Sequence, residues 1–199
     1  MRILFLGDSL TYGFAMPREQ AWPALCAGQA GLQGINLAVN GNTTGGMLAA
    51  LPRALEIHAP DLVFLMGGAN DIFYGGDLAG AQANLGGLIH LAVAAGAQPI
   101  LGIPPSPKLP VRPDWASLLP KNAKELMECY LNWLRRFAGV FRLPLLDFCR
   151  ELPRRAAAAG LVPGDCYLED GLHPSREGHR IMAGLATEMI LALLDGRRC

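Results

Sequence analysis

A serine, an aspartate and a histidine in this sequence have the types and spacing of a nucleophile with its proton-transfer partners. Ser9 follows a short apolar run in the segment FLGDSLTYG, residues 5–13. Asp170 lies three residues before His173. Its carboxylate can therefore accept from one imidazole nitrogen and leave the other nitrogen free as a base. Because a serine hydroxyl needs such a base, the three residues together predict an activated serine.

Each of these residues also has an ordinary structural interpretation. A serine after a strand is more often a helix cap or part of a phosphate-binding loop than a nucleophile, and Asp170 and His173 also suit a turn before a helix. His179 is a rival base, but its pattern places it inside the last helix, with no acid three residues earlier. His58 and His90 lie in helical segments and are interpreted as structural. A catalytic role for Ser9 therefore depends on which side chains the fold places next to it.

The elements that must position these residues alternate between strand and helix patterns. Two segments, 78–92 and 182–193, have apolar residues at helical spacing, and Asp77 and Gly96 suit the start and stop of the first helix. The alternation predicts an α/β fold, a three-layer α/β/α sandwich around a five-stranded parallel sheet of flavodoxin type. Five short apolar runs predict its buried strands: Ile3 to Leu6, Ile35 to Val39, Leu62 to Met66, Pro99 to Ile103, and Pro144 to Phe148.

Three loops rich in glycine and polar residues follow the first three predicted strands. Parallel strands bring these loops to one edge of the sheet, where ligands bind in such folds. The first loop lacks the GxGxxG pattern of dinucleotide-binding proteins. Asp8 and Asp71 are expected to brace the loops and not to act as catalytic acids. The loops are Gly7-Asp8-Ser9, Asn40-Gly41-Asn42 and Gly67-Gly68-Ala69-Asn70-Asp71.

Composition restricts the classes of partner. The chain has 199 residues, 51% of them hydrophobic, which suits a single domain over residues 1–199. Its 17 basic residues equal its 17 acidic residues, so we expect no nucleic-acid partner. The segment 78–107 is uncharged but is interrupted by polar residues, so no membrane insertion is expected. A small-molecule substrate fits this composition, and the oligomeric state stays open.

The N-terminus and the cysteines predict a cytoplasmic protein. The first apolar run is too short for the core of a signal peptide. The cysteines form an odd set without a CxxC pair, which suits structural thiols in a reducing compartment better than metal binding. We therefore expect the thiols to hold no metal. The set comprises Cys26, Cys129, Cys149, Cys166 and Cys199.

The segments GDSLTYG, NGNTTGG, GGAND and DGLHP, in this order, resemble the blocks of the GDSL or SGNH hydrolases over nearly the whole chain. The pattern, with AWPAL at residues 21–25, is most similar to the small bacterial branch with acyl-thioesterase, arylesterase and lysophospholipase activities. The resemblance implies the SGNH hydrolase fold, with Ser9 as nucleophile, His173 as base and Asp170 as its orienting acid. It also implies an oxyanion hole formed by Ser9, Gly41 and Asn70. Three such donors would suit a developing oxyanion.

The expected activity is hydrolysis of carboxylic esters or thioesters through an acyl-enzyme, without a metal or a cofactor. The proline-rich loop 103–120 departs from the related branch in length and is expected to form one wall of the substrate site. Short to medium acyl or aryl esters are the expected substrates, and lysophospholipids are a further candidate class. Two alternatives stay open: a carbohydrate O-acetylesterase with the same triad, and a non-enzymatic flavodoxin-type module that binds phosphate or FMN. The expected facing wall consists of Tyr12, Phe14, Met16, Phe73 and Tyr74.

Overall fold

Five parallel strands form a sheet through the middle of the protein, in a computed structural model that describes residues 1–106 and 112–196. Their order across the sheet is β2-β1-β3-β4-β5, with every neighbouring pair parallel. This is the strand order of flavodoxin-like folds, and it confirms the predicted sheet. The strands are β1 (Arg2–Gly7), β2 (Gln33–Asn36), β3 (Leu62–Met66), β4 (Gln98–Ile103) and β5 (Leu145–Asp147).

Helices cover both faces of the sheet and supply the crossovers that parallel strands require. Helices α2, α8 and α9 pack on one face, and α3, α5 and α7 pack on the other. The three-layer α/β/α prediction is therefore confirmed. The helices of the described chain are α1 (Ser9–Tyr12), α2 (Trp22–Gln29), α3 (Thr44–His58), α4 (Ala69–Gly75), α5 (Leu78–Ala94), α6 (Pro113–Ala116), α7 (Ala123–Phe141), α8 (Phe148–Ala158) and α9 (Arg176–Asp195).

Strand β1 shows why the central strands read as continuous apolar runs. Ile3 and Phe5 point into the core on one face of the sheet, while Leu4 and Leu6 point into the core on the other. All four side chains are fully buried. Burying each stabilises the fold by about 1.5–3 kcal/mol relative to leaving it exposed. The strand that carries the first loop of the site is thus anchored from both sides.

The two edge strands differ from their predicted bounds, because an edge strand pairs on one side only and local side chains can end it. Strand β2 ends at Asn36, whose side-chain carbonyl accepts the backbone N–H of Ala38. Strand β5 ends at Asp147, whose carboxylate accepts the N–H of Arg150 and caps α8. Phe148, predicted to end the strand, is therefore the first residue of the helix. Neither change moves the loops of the central strands.

The proline-rich loop contains more structure than its sequence pattern predicts. Helix α6 interrupts it, and Arg112 just before this helix forms a double hydrogen bond with the carboxylate of Asp114. The Tyr167 hydroxyl donates to the carbonyl of Ser106, which ties the start of the loop to the segment before α9. Residues 107–111 of this loop lie outside the described residues.

Within residues 1–106 and 112–196, no helix is long and apolar enough to cross a membrane. The same residues contain no group of three or more His, Cys, Asp or Glu side chains arranged to hold a metal ion. Cys26, Cys129, Cys149 and Cys166 are free thiols, and Cys199 lies outside the described residues. Burial raises the pKa of Cys26 to about 11, so this thiol stays uncharged near neutral pH.

A buried histidine in α9 ties the last helix to the aromatic core. The Nδ1 atom of His179 accepts the backbone N–H of Trp22 at 3.2 Å. The Trp22 indole in turn donates to the carbonyl of Leu10 at 2.9 Å and packs edge-on against Phe5. Burial, with a smaller contribution from nearby His173, lowers the pKa of His179 to about 4. His179 is therefore a neutral residue of the core, and it lies inside the last helix, as its pattern predicted.

The burial of neutral His179 predicts that acid lowers the free energy of unfolding. Between pH 6.5 and 4 the unfolded state protonates His179 and the folded state does not, so the free energy of unfolding falls as pH falls. The slope reaches about 1.4 kcal/mol per pH unit. Asp8, whose pKa burial raises to about 7, acts in the opposite direction, so the test compares variants. In urea unfolding, wild type should lose more stability than His179→Gln across this window.

The matched control is His90→Gln, because His90 is an exposed histidine on α5. This variant should keep the pH dependence of the wild type. Parallel stability profiles for wild type and His179→Gln would contradict the account of His179.

Candidate active site

The residues singled out in the sequence meet at the carboxyl-end edge of the sheet. Ser9 is the first residue of α1, directly after β1, and the Asp8 side chain caps this helix by accepting the N–H of Leu10 at 2.9 Å. Asp170 and His173 lie in the turn that precedes α9. Because Ser9 begins a helix, its own N–H has no acceptor within that helix and stays available at the site.

A continuous hydrogen-bonded chain joins the three polar residues. The Nε2 atom of His173 lies 2.9 Å from Ser9 Oγ, and its Nδ1 atom lies 2.8 Å from Asp170 Oδ2. Asp170 and His173 are buried, with 8% and 5% of their surface exposed. This is the order of contacts that lets an imidazole accept a proton from a hydroxyl while a carboxylate holds its other nitrogen.

The turn before α9 fixes Asp170 independently of the imidazole. Its Oδ1 atom accepts the backbone N–H groups of Leu172 and His173, at 2.8 and 2.9 Å. Burial by itself raises the pKa of Asp170, but the N–H of His173, the imidazole and the N–H of Leu172 together lower it below its ordinary value. The N–H of Leu168 donates to the carbonyl of His173 at 2.8 Å and closes the turn. Asp170 is therefore held ionised in a fixed position.

Gly41 and Asn70 face the same cavity as Ser9 and His173. Gly41 has φ +73°, a conformation that favours glycine, and without a side chain its backbone can approach a substrate closely. The side-chain amide of Asn70 donates one proton to the carbonyl of Asn42 at 2.8 Å. That bond orients the amide and leaves its second N–H available.

Asp8 and Asp71 brace the loops, as the sequence analysis expected. Asp71 accepts the backbone N–H of Thr44 and also binds its hydroxyl, which fixes the start of α3 to α4. Asp8 is 2% exposed, and burial raises its pKa to about 7, with a further contribution from the charge of Asp71. The two carboxylates thus support Ser9 and Asn70 from behind.

A cavity of about 260 Å³ opens above Ser9 and His173. Apart from the polar residues of the site, its walls are mainly aromatic and aliphatic. Such a lining suits the hydrocarbon part of a small substrate. The lining consists of Ser9, Phe14, Asn40, Gly41, Asn70, Phe73, Tyr74, Leu118, Leu119, Leu172 and His173.

The sequence prediction of the wall and the observed wall overlap in part. Phe14, Phe73 and Tyr74 line the cavity, whereas Tyr12 and Met16 are not among its lining residues. The guanidinium of Arg18 instead lies over the Tyr12 ring, with its central carbon 4.2 Å from the ring centroid. The reason is the left-handed backbone at Gly13 and Ala15, on either side of Phe14, which changes the direction of the chain between these side chains.

Four lining residues were not singled out in the sequence. Leu118 and Leu119 lie in the proline-rich loop, which the sequence did predict as a wall, but no periodicity marked these two leucines. Leu172 stands inside the DGLHP segment and Asn40 beside Gly41. Their adjacency to candidate residues was the available signal for both.

Residues 5–181 match the model of the GDSL-like Lipase/Acylhydrolase family. Among curated relatives, an arylesterase of Vibrio mimicus is 28% identical over 195 residues, which cover 96% of this chain and 88% of that protein. Thioesterase 1/protease 1/lysophospholipase L1 of Escherichia coli strain K12 is 29% identical over 196 residues, which cover 97% and 85%.

The fold has a counterpart among solved structures. A carbohydrate acetylesterase family member from Sinorhizobium meliloti superimposes with a TM-score of 0.79 at 20% identity, covering 98% of this chain and all of that one. At this identity the likeness concerns the fold alone. The family model, in contrast, spans most of the sequence, from the end of the first apolar run into the last helix. The chain belongs to the GDSL-like lipase/acylhydrolase family.

Proposed function

We propose that Ser9, His173 and Asp170 form the catalytic triad of a serine hydrolase that cleaves carboxylic esters and thioesters through an acyl-enzyme. The main support for this proposal is the continuous hydrogen-bonded chain from Ser9 Oγ through the His173 imidazole to Asp170, which lies at an apolar cavity. Membership of the family supports the reaction class. The similarity in sequence to the Vibrio mimicus arylesterase and the Escherichia coli thioesterase supports the same class.

Acylation follows from the positions of these atoms. As Ser9 Oγ bonds to the substrate carbonyl carbon, its proton passes to His173 Nε2, 2.9 Å away. Asp170 holds the other ring nitrogen and stabilises the imidazolium. His173 then gives the proton to the leaving oxygen or sulfur as its bond to the carbonyl carbon breaks. A water molecule, activated by the same imidazole, later releases the acid.

The oxyanion is stabilised by three donors that converge on the cavity. The N–H group of Ser9 lies just after β1, and that of Gly41 lies in the loop between β2 and α3. The amide of Asn70, oriented by the carbonyl of Asn42, supplies the third. Fixed donors of this kind act where charge develops in the transition state.

The cavity favours short to medium acyl or aryl groups. Its volume, about 260 Å³, is at the low end for small-molecule sites, and its walls are apolar. A triglyceride does not fit such a space. Lysophospholipids stay within the proposal, with the headgroup remaining outside the cavity.

The alternative of carbohydrate O-acetylesterase has one point in its favour, the likeness in fold to the Sinorhizobium meliloti protein. The apolar residues Leu118 and Leu119 on the loop side support an acyl site over a sugar site. The triad geometry and the family support hydrolysis over phosphate or FMN binding. A panel of p-nitrophenyl esters, acyl-CoAs and acetylated sugars separates the two hydrolase functions.

A cytoplasmic location stays a prediction, which cell fractionation tests.

Ser9→Ala should abolish ester hydrolysis and leave the fold intact, because the hydroxyl is the bond-forming atom and lies at the start of a short helix. His173→Gln should be comparably severe, with kcat reduced by about 10³-fold or more in both cases. Hydrolysis of p-nitrophenyl acetate measures both losses. His90→Gln, a change at an exposed histidine on α5, is the matched control. Substantial kcat in Ser9→Ala would eliminate the triad.

Asn70→Ala should lower kcat by about 10²- to 10³-fold with little change in KM, because an oxyanion donor acts mainly in the transition state. Steady-state kinetics on the same ester measure the split. Asn132→Ala, on α7 and away from the cavity, provides the control. If KM rises while kcat holds, Asn70 binds substrate and is not an oxyanion donor.

Leu119→Trp should shorten the preferred acyl chain, because a larger side chain fills part of the cavity next to the loop. Each methylene excluded from an apolar site changes discrimination by about 1–3 kcal/mol, so kcat/KM should fall progressively from butyrate to octanoate and change little for acetate. Leu191→Trp, on the outside of α9, is the control. An unchanged chain-length profile in Leu119→Trp would remove the loop from the substrate site.

A further inference from the structure

The ring of Phe14 lies against the face of the His173 imidazole. Their centroids are 4.2 Å apart and their planes differ by 30°. Both rings line the cavity, and Phe14 is half-buried while His173 is 5% exposed. One face of the proposed base is therefore covered by a flat apolar group.

The hydrogen bonds of His173 to Asp170 and Ser9 do not by themselves restrain one motion of its ring. Contacts to Asp170 and Ser9 hold the two nitrogen atoms. A hydrogen bond to an imidazole nitrogen is strongest in the plane of the ring, so these two bonds resist sliding within that plane. They resist much less a rocking of the plane about the line that joins the two nitrogens. Because a hydrogen bond weakens as it leaves alignment, this rocking would impair proton transfer from the serine. A group on the ring face opposes it.

The backbone around Phe14 is built to hold the ring in this place. Its N–H donates to the carbonyl of Ser9 at 3.1 Å, so the ring is positioned relative to the nucleophile itself. The residues on either side, Gly13 and Ala15, have φ of +88° and +60°. Such a φ is uncommon for a residue with a β-carbon, and it persists where the surroundings impose it. At Gly13 a β-carbon would lie 2.4 Å from that of Ala21, so the site also needs glycine.

We infer that Phe14 is a positioning residue for ester hydrolysis by this site, an inference that rests on the proposed function. Its ring face keeps the imidazole in the plane in which Nε2 meets Ser9 Oγ. When the proton leaves Ser9 Oγ for Nε2, as the bond from Oγ to the carbonyl carbon forms, the imidazolium gains the attraction of the adjacent π face. The proton then passes to the leaving group as its bond breaks. Phe14 thus acts on the transition state through His173 and, as a wall residue, also contacts the acyl group.

Two substitutions separate the flat face from simple apolar bulk. Phe14→Leu keeps an apolar side chain at the wall but removes the face, whereas Phe14→Tyr keeps the face. With p-nitrophenyl acetate, whose acyl group is too small to depend on the wall, Phe14→Leu should lower kcat by about 3- to 30-fold while KM changes less than twofold. Phe14→Tyr should keep at least half of the wild-type kcat. Thermal unfolding establishes that each variant is folded, and Phe14→Met replaces Phe14→Leu if the latter is not.

Two further phenylalanines serve as controls. Phe137 stacks on Trp133 with a centroid distance of 4.6 Å and the same 30° angle, but on α7 and outside the cavity. Phe137→Leu should leave both kinetic constants unchanged. Phe73 lines the cavity, so Phe73→Leu should alter KM for longer esters more than kcat on acetate.

The outcomes distinguish this inference from the proposed function. Wild-type kcat in Phe14→Leu, or an equal loss in Phe14→Leu and Phe14→Tyr, would overturn the positioning role of the ring. If at the same time Ser9→Ala is inactive, the triad stands and only the inference fails. Activity retained in Ser9→Ala, or a wild type inactive on every ester and thioester, would overturn both.

Discussion

The hydrogen bond between Ser9 Oγ and His173 Nε2 is the contact on which the arrangement of the site depends. It joins the first strand of the chain to the turn before its last helix, so it forms only when the whole sheet is assembled. The parallel topology places both segments at the same edge. Burial of β1 on both faces holds the serine end, and the closed turn around Asp170 holds the histidine end. Small displacements of either support would separate two atoms that must stay within hydrogen-bond distance.

Two neighbouring histidines of the protein have opposite roles because of their surroundings. His173 lies between a carboxylate and a hydroxyl, at a cavity that a substrate can enter. His179 is fully enclosed, accepts a backbone N–H of Trp22 and is kept neutral by burial, which lowers its pKa to about 4. The first imidazole is the one proposed to carry a proton, and the second is part of the core. The distinction lies in hydrogen-bond partners and solvent access, since the residue type is the same.

The sequence by itself determined the elements and the polar residues of the site. A strand that is buried on both faces of a sheet has a nearly continuous apolar sequence without charges. The central strands were therefore predictable from their apolar runs. The order of strands and helices then required a parallel sheet, and this topology required the loops to converge. The Asp170 and His173 spacing was also readable, because three residues in a tight turn bring a carboxylate to an imidazole. Asp77 as the cap of α5 is a further local signal that was confirmed.

Only the tertiary structure decided which side chains enclose the cavity. Tyr12 and Phe14 are two residues apart, yet only Phe14 lines the cavity, because the left-handed backbone at Gly13 and Ala15 redirects the chain. Leu118 and Leu119 reach the same space from a loop without periodicity. The stacking of Phe14 on His173 joins segments from opposite ends of the sequence. Local sequence patterns show whether a segment forms a helix or a strand and which chemistry its residues can perform. Contacts between distant segments depend on backbone directions that exist only after folding.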